Sequence, residues 1–193
     1  MNDKIIARSV TLFNENGINQ TSFRNIASSL EISDGHVRYY FKTKEKLLLA
    51  IFDKMNNEIL TLAQQTQNET LSTSSHLKNI LSGAFAIMVN YSFFFMESPK
   101  TFNQFPALAL VYKNLVEDRK TLFLSMFQNL KHKGFFKKSF SDDIQEHAFY
   151  CIFIISDSWI RYYTILNSRK PNKQAIDFHS NLAFSILSPY IKE

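Results

Sequence analysis

An all-α fold is predicted for this chain of 193 residues from its composition and from the spacing of its apolar residues. Glycine and proline, the residues that most often form turns and hairpins, number only four each, whereas phenylalanine numbers nineteen. This balance favours long, heavily packed helices over short strands joined by tight turns. Hydrophobic residues make up 45% of the chain, which supplies a sizeable core and argues against disorder.

Three short helices are predicted within residues 1–41. In helix one, over 3–16, the apolar residues follow helical spacing, and Gly17 stands where a left-handed C-terminal cap is expected. Helix two carries apolar residues at i, i+3, i+4 and i+7, and the hydroxyl of Thr21 is expected to cap it. Ser33 is expected to cap helix three. Two short amphipathic helices therefore follow each other across a tight connection.

Longer helices are predicted in the rest of the chain. Thr43 is expected to cap a fourth helix that runs to about Gln67 along one apolar stripe, and the polar stretch 68–75 is predicted to be a loop. Aromatic residues become more frequent after this loop, so the boundary between two domains, 1–50 and 51–193, is placed along helix four. Further helices are predicted at about 76–96, 105–117, 118–133, 142–168 and 173–190.

The net charge of +5 and the sequence pI near 9.2 favour a polyanionic partner only mildly. Residues 1–55 carry eight Lys or Arg against six Asp or Glu. Any affinity of this region for nucleic acid must therefore come from where its charges lie rather than from their sum.

Several classes of protein are excluded by the remaining chemistry. The lone Cys151 cannot form an internal disulfide, which suits a reducing compartment, and neither a leader sequence nor an apolar run of about 18 residues is found. His132, His147 and His179 lack metal-ligand spacing, and no glycine-rich phosphate loop is present. We expect a cytoplasmic protein without enzymatic activity, cofactor, metal or membrane association.

One segment carries a dense motif. Residues 17–47 read GINQTSFRNIASSLEISDGHVRYYFKTKEKL. They include a Thr-Ser pair opening helix two, Ile-Ala in its middle, Ile-Ser entering helix three, an aromatic pair before Phe, and Lys-x-Lys-Glu entering helix four. This pattern resembles the DNA-binding domain of the TetR family of transcriptional regulators. The resemblance implies a three-helix helix-turn-helix domain over 1–50, with Ser33–Phe41 as its recognition helix, linked through helix four to an aromatic-rich helical domain for ligand binding and dimerisation.

The second helix of such a pair can enter a major groove about 12 Å wide and present its N-terminal residues to base edges. Ala27 provides the small residue where the two helices cross, and Gly35 lets the backbone approach the groove closely. Hydroxyls and cations around this helix can grip the phosphate backbone. The expected DNA-binding residues are Ser33, Asp34, Gly35 and His36 near base edges, and Thr21, Ser22, Arg24, Arg38, Tyr39, Tyr40 and Lys44 near phosphates.

Some of these assignments leave alternatives open. Phe41 is expected in the core, and Tyr40 could serve either the core or DNA. Lys44 could lie on a solvated face instead of at a phosphate. Two residues depart from the family pattern: Glu31 stands where a glycine is usual, and Arg38 stands where a tyrosine is usual. Arg38 could contact a phosphate or reach a guanine.

Residues 76–190 resemble the family only loosely. Effector-binding and dimer-interface residues in this region are therefore given as sets of candidates. Its many aromatic rings could line a cavity for an effector or could simply fill the core. The effector candidates are Phe93, Phe94, Phe105, Tyr112, Phe127, Phe153 and Trp159. The last two helices are expected to form the dimer interface, with Ile152, Ile155, Trp159, Phe178, Leu182, Ile186 and Leu187 as candidates.

The function implied by the resemblance is a homodimeric, ligand-responsive repressor that binds a palindromic operator in double-stranded DNA. Its effector is expected to be an apolar or aromatic small molecule. Two alternatives stay open: a helical carrier or sensor of hydrophobic molecules that does not bind DNA, and an activator that needs its ligand to bind DNA.

Overall fold

The computed structural model describes residues 1–67, 74–97 and 99–192. The prediction of an all-α fold is confirmed: in the described part of the chain, β-structure is limited to one isolated antiparallel bridge between Phe136 and Ile191. The helices are α1 Asn2–Asn16, α2 Phe23–Ser29, α3 Asp34–Tyr40, α4 Lys44–Gln67, α5 Ser74–Asn90, α6 Ser92–Met96, α7 Pro99–Asn103, α8 Pro106–His132, α9 Asp142–Asn167 and α10 Lys173–Ser185, followed by a 3-10 turn at Ser188–Tyr190.

Four of the predicted helices have different bounds. The helix predicted at 173–190 ends at Ser185, and the 3-10 turn at Ser188–Tyr190 follows it. The helix predicted at 76–96 is interrupted at Tyr91, whose backbone leaves the helical region (φ −113°, ψ 33°). The helices predicted at 105–117 and 118–133 form the single helix α8, because the sequence places no glycine or proline inside it after Pro106. Residues 68–73 of the predicted loop lie outside the described residues, and α5 already includes the two serines that follow them.

The chain divides into two compact units. The first comprises Met1–Glu58 with Asn90–Tyr112, and the second comprises Ile59–Val89 with Lys113–Glu193. The stretch 90–112, which the sequence analysis assigned to the C-terminal domain, thus belongs to the same unit as the first three helices. The predicted division at residue 50 did not anticipate this second segment.

Asn14 on α1 is one of the residues that join the two segments of the first unit. Its side-chain amide donates to the carbonyl oxygen of Asn90 at 2.7 Å, and its Oδ1 accepts from the Phe93 amide and the Ser92 hydroxyl, both at 3.0 Å. Beside these bonds, the rings of Phe13 and Phe93 lie 5.2 Å apart between centroids. One side chain therefore satisfies three polar groups at the start of α6 while the neighbouring rings pack.

The second unit has its own aromatic core. Phe127 on α8 is fully buried and contacts Phe136 and Phe140, with ring centroids 5.9 and 5.4 Å away. Trp159 on α9 stacks against His179 on α10 at 4.9 Å. Edge-to-face and stacked ring pairs of this kind stabilise a core beyond the area they bury.

Candidate nucleic-acid interface

Helices α2 and α3 pack against each other through small and branched apolar side chains. Ala27 is 2% exposed, and Ile26 and Val37 are fully buried. The carbonyl oxygen of Ala27 also accepts from the Ile32 amide at 3.1 Å, which closes the connection between the helices. A bulkier residue at Ala27 would separate α2 from α3, so this residue has the architectural role that its size predicts.

The connection between α2 and α3 passes through a left-handed residue. Glu31 has a φ of 56°, a conformation that glycine adopts without strain and other residues adopt at a cost of roughly 1–2 kcal/mol. The turn therefore keeps the geometry expected of the glycine usual in the family, although this chain carries Glu31. Its exposed side chain makes the substitution sterically possible.

The cap of α2 is one residue later than predicted. Ser22 accepts from the Asn25 amide at 3.2 Å, and Asn25 Oδ1 accepts from the Ser22 amide at 2.8 Å, forming a capping box. Thr21 is 1% exposed, and its hydroxyl donates to the carbonyl oxygen of Gly17 at 3.0 Å. The assignment of the Thr21 side chain to DNA contact is therefore corrected: it joins α1 to α2. The cap of α3 is Ser33, as predicted, and it accepts from the His36 amide.

Gly17 closes α1 with a φ of 79° and a ψ of 165°. The left-handed helical cap expected there is replaced by an extended conformation with positive φ, which essentially only glycine adopts. This backbone path carries the chain from α1 to Thr21.

Helix α3 presents a row of aromatic and polar side chains to solvent. Tyr39 is 72% exposed and Tyr40 is 39% exposed, whereas Phe41 is buried. The rings of His36 and Tyr40 lie 5.5 Å apart, and those of Tyr39 and Tyr40 lie 5.3 Å apart edge-on. Tyr40 thus lies at the surface, and Phe41 takes the core position that was predicted for it.

Arg38 is held by two neighbours. Its Nε donates to Asp34 Oδ2 at 2.6 Å, one helical turn earlier, and its guanidinium carbon lies 5.2 Å from the centroid of the Phe23 ring. Asp34 Oδ1 is buried without a hydrogen-bond partner among the described residues. Arg24 and Gly35 are exposed beside this pair.

Lys44 lies at the start of α4, where its ammonium donates to the carbonyl oxygen of Ile18 at 2.8 Å. Burial lowers the pKa of Lys44, and the negative charge of Glu97 partly offsets that effect. The Ile18 amide in turn donates to Glu97 Oε1 at 2.9 Å. The ammonium predicted to contact phosphate thus has a backbone partner within the protein, and Glu97 is a neighbour that sequence spacing could not reveal.

The effector candidates are distributed over both compact units. Phe93 and Phe94 lie in the first unit and Phe127 and Trp159 in the second, and all four are at most 4% exposed and packed against other rings. The burial of these four favours the core-filling role among the two that the sequence analysis left open. Trp159 also has a buried Nε1 without a hydrogen-bond partner among the described residues. Phe105, Tyr112 and Phe153 are half-buried.

Three of the dimer candidates are corrected by their burial. Ile152, Trp159 and Leu187 are each 2% exposed in the chain, so they cannot form the centre of an interface. Phe178 and Leu182, at 64% and 46% exposure, do face solvent on α10. Ile155 and Ile186 are half-buried.

Four exposed apolar residues on α9 were missed by the sequence analysis. Ile154, Tyr162, Ile165 and Leu166 are between 61% and 68% exposed and fall on one side of the helix by their spacing. Tyr162 and Phe178 both lie against His179, with ring centroids 6.5 and 5.1 Å from it. His179 thus brings one exposed apolar side chain of α9 close to one of α10, and we call the set of Ile154, Tyr162, Ile165, Leu166, Phe178 and Leu182 the α9–α10 apolar face.

Other kinds of site are not evident in the described residues. No helix among them is long and apolar enough to cross a bilayer. In the same part of the chain, no group of three or more His, Cys, Asp or Glu side chains is arranged to hold a metal ion.

Comparison with solved structures shows the same fold. A TetR-family transcriptional regulator from Marinobacter aquaeolei VT8 superposes with a TM-score of 0.84 at 18% identity, over 100% of this chain and 91% of that one. SmeT, a repressor from Stenotrophomonas maltophilia solved in complex with triclosan, superposes with a TM-score of 0.76 at 15% identity, over 100% of this chain and 92% of SmeT.

The sequence is similar to a curated relative and to two family models. YttP of Bacillus subtilis (strain 168), a probable HTH-type transcriptional regulator, is 35% identical over 86 residues, which cover 45% of this chain and 41% of YttP. The match thus spans about two fifths of that curated relative. Residues 5–51 match the family of bacterial regulatory proteins named tetR, and residues 45–193 match the TetR family described as bacterial transcriptional repressor. The family consists of DNA-binding transcription factors rather than enzymes. The chain belongs to the TetR family of bacterial transcriptional regulators.

Proposed function

We propose that this chain is a sequence-specific DNA-binding transcriptional regulator that acts in the cytoplasm as a ligand-responsive repressor. The observation that carries the proposal is the arrangement of α3: Val37 fixes it in the core while His36, Arg38 and Tyr39 face solvent. A helix so placed can enter a major groove. The family match to bacterial transcriptional repressors supports the direction of regulation.

The proposed DNA contacts are the exposed members of the predicted set. Ser22 and Arg24 on α2 and Tyr39 and Tyr40 on α3 supply hydroxyls and a cation for phosphates. Lys44 can contribute its remaining N–H donors, since an ammonium has three and the Ile18 carbonyl accepts one. Ser33, Gly35 and His36 are proposed to lie near base edges.

The proposed assembly is a homodimer formed through the α9–α10 apolar face. Isolated exposed apolar residues are common, but a group on two adjacent helices marks an interaction site. A dimer with twofold symmetry would present two α3 helices to half-sites about 34–36 Å apart, or a multiple of that spacing, so a palindromic operator is expected.

The proposed effector is an apolar or aromatic small molecule bound in the aromatic-rich C-terminal region. SmeT, which shares this fold, was solved with triclosan. The buried Nε1 of Trp159 gives the second unit a donor that an acceptor on a ligand could satisfy. Ligand binding would favour a dimer whose two α3 helices no longer match the half-site spacing.

Footprinting tests this proposal against its alternatives. The DNA flanking the gene should show a protected, sequence-specific site at stated salt, and candidate apolar ligands should weaken the protection. Absence of a specific site at every salt concentration would favour a carrier or sensor without DNA binding. Protection that appears only when ligand is added would favour an activator that needs its ligand.

A further inference from the structure

We infer that Arg38 reads a guanine in the operator and that Asp34 is the positioning residue that holds Arg38 for this contact. The inference rests on the proposed function, because it requires α3 to enter the major groove. It goes further by assigning one base, one reading side chain and one supporting side chain.

The Arg38 side chain is preorganised for a contact with DNA. Arginine loses considerable rotamer freedom when it is fixed on binding, and a side chain that is already fixed avoids that loss. In this protein the Nε–Oδ2 bond of 2.6 Å to Asp34 restrains the guanidinium from one side. On another side, the centroid of the Phe23 ring lies 5.2 Å from the guanidinium carbon, and Phe23 itself is 6% exposed. Arg38 therefore has a defined position before DNA arrives.

Arg38 keeps N–H donors available for a ligand. A guanidinium carries five N–H groups, of which one lies on Nε and four lie on the two terminal nitrogens. Asp34 engages Nε, and the Arg38 side chain is 58% exposed. The two terminal nitrogens can thus donate in parallel to a ligand. Guanine is the base that presents two adjacent acceptors, O6 and N7, in the major groove.

The charge around Arg38 suits a base better than a phosphate. Beside Arg38, the carboxylate of Asp34 offsets the positive charge and repels phosphate. A base edge is recognised by hydrogen bonds rather than by net charge, so the pair suits a base better than a phosphate. Arg24, an exposed cation on α2, provides the contrasting case of a phosphate contact.

The role of Asp34 follows from its two oxygens. Oδ2 accepts from Arg38, and Oδ1 is buried without a partner among the described residues. Oδ1 is therefore not presented to a base, and Oδ2, which could accept from the N4 amino group of a cytosine, already has the guanidinium of Arg38 as its partner. Asp34 was expected to contact a base itself. The arrangement of its two oxygens instead makes Asp34 a residue that acts through Arg38.

The test uses modified DNA and the full-length chain. An operator is first selected from randomised DNA, and each of its guanines is then replaced by 7-deazaguanine, which lacks the N7 acceptor. We expect one guanine in each half-site at which this replacement lowers the affinity of the wild-type protein for the operator by about 5- to 150-fold. The same replacement should change the affinity of Arg38→Ala less than about twofold, which would pair this residue with that base.

Two further variants distinguish direct contact with the base from positioning of the residue that makes this contact. Asp34→Ala should reduce discrimination against 7-deazaguanine while strengthening binding to random DNA, because it removes a negative charge from the interface. A purely structural role of Asp34 would instead weaken binding to both. Arg24→Ala is the matched control: it should keep the 7-deazaguanine penalty while lowering the slope of log K against log salt by about 1.

Two results would overturn the inference. The first is unchanged wild-type affinity when 7-deazaguanine replaces any operator guanine, a measurement that needs no protein variant. The second is an equal penalty in wild type and in Arg38→Ala, whose helical content is checked by circular dichroism. In both cases DNA binding itself would stand, whereas failure to select any sequence would count against the proposed function instead.

Discussion

The ammonium of Lys44 lies 2.8 Å from the carbonyl oxygen of Ile18, and the amide of the same Ile18 donates to Glu97. Both polar groups of one residue that precedes α2 are thus held by side chains from α4 and from the stretch after α6. Lys44 is therefore a structural residue as well as a proposed phosphate contact.

Lys44→Ala should consequently affect both stability and DNA binding. Loss of a hydrogen bond from a charged donor should lower the free energy of unfolding by about 1–2 kcal/mol, given that Lys44 is only half-buried. Affinity should fall by a similar factor on operator and on random DNA. Urea denaturation and mobility-shift titration measure the two effects. Lys46→Ala, at an exposed position of the same helix, should leave stability unchanged; equal destabilisation by both changes would contradict this account.

Glu31→Gly should stabilise the protein. Glu31 has a φ of 56°, and relief of this strain, less the greater backbone entropy of glycine in the unfolded chain, leaves a gain of about 0.5–1 kcal/mol. Ser168 has a φ of 50° at the end of α9, so Ser168→Gly should stabilise by a similar amount. Thermal unfolding measures both gains, and Glu31→Ala is the control that should show none. If Glu31→Gly instead destabilised the protein, the Glu31 side chain would contribute more to the stability of the fold than its left-handed backbone costs.

Tyr91 should make stability depend on pH in the alkaline range. Burial, together with its 2.8 Å hydrogen bond to Glu58 and the charge of that residue, raises the pKa of Tyr91 above its ordinary value of 10.0. Above that pH the unfolded chain loses the phenol proton while the folded chain keeps it. The free energy of unfolding should therefore fall as pH rises above about 10.

Tyr91→Phe should remove this part of the pH dependence. At neutral pH it should cost about 1 kcal/mol for the lost hydrogen bond, since Glu58 retains its ion pair with Lys54. Urea titrations at several pH values compare the variant with wild type. Tyr39→Phe, at a phenol that is 72% exposed, is the control and should follow the wild-type curve. If the curves of unfolding free energy against pH were parallel for wild type and Tyr91→Phe, Tyr91 would not be the cause of this pH dependence.

Phe178→Glu and Leu166→Glu should convert the proposed dimer into monomers. Both side chains are 64% exposed on the α9–α10 apolar face, and a carboxylate there would be desolvated in an interface. Sedimentation velocity should show wild type at twice the chain mass of 22.5 kDa and the variants at that mass. Leu122→Glu replaces an apolar residue on α8 that is 52% exposed, and it should remain dimeric. Dimers of all three variants would place the interface elsewhere.

The helices of the DNA-binding region could be predicted because their signals are local. Apolar spacing and hydroxyl caps placed α2 and α3 correctly, and the error at the start of α2 was one residue: the hydroxyl of Thr21 finds backbone carbonyls behind it, whereas Ser22 faces the free amides. The pairing of Arg38 with Asp34 also has a local signal, because opposite charges four residues apart on a helix often pair.

Contacts between distant parts of the sequence could not be predicted in this way. Nothing in the sequence near Asn14 indicates that it binds residues 90–93, and nothing near Lys44 indicates that Glu97 lies beside it. Helix α9 poses a different problem, because apolar residues occur around most of its circumference. Periodicity therefore could not distinguish Ile152, which is buried, from Ile154, which is 62% exposed.

The bonds from Asn14 to the residues around α6 also constrain how the protein matures. They join positions 76 to 79 residues apart, so α1 cannot form its contacts with the residues around α6 until the ribosome has made residue 93. At 5–20 residues per second this delay is roughly 4–16 s. Until then Phe13 lacks the ring of Phe93, whose centroid lies 5.2 Å from its own, and a fragment that ends near residue 60 lacks this ring permanently. Helix α3 thus belongs to a compact unit whose second segment, Asn90–Tyr112, is synthesised well after its first.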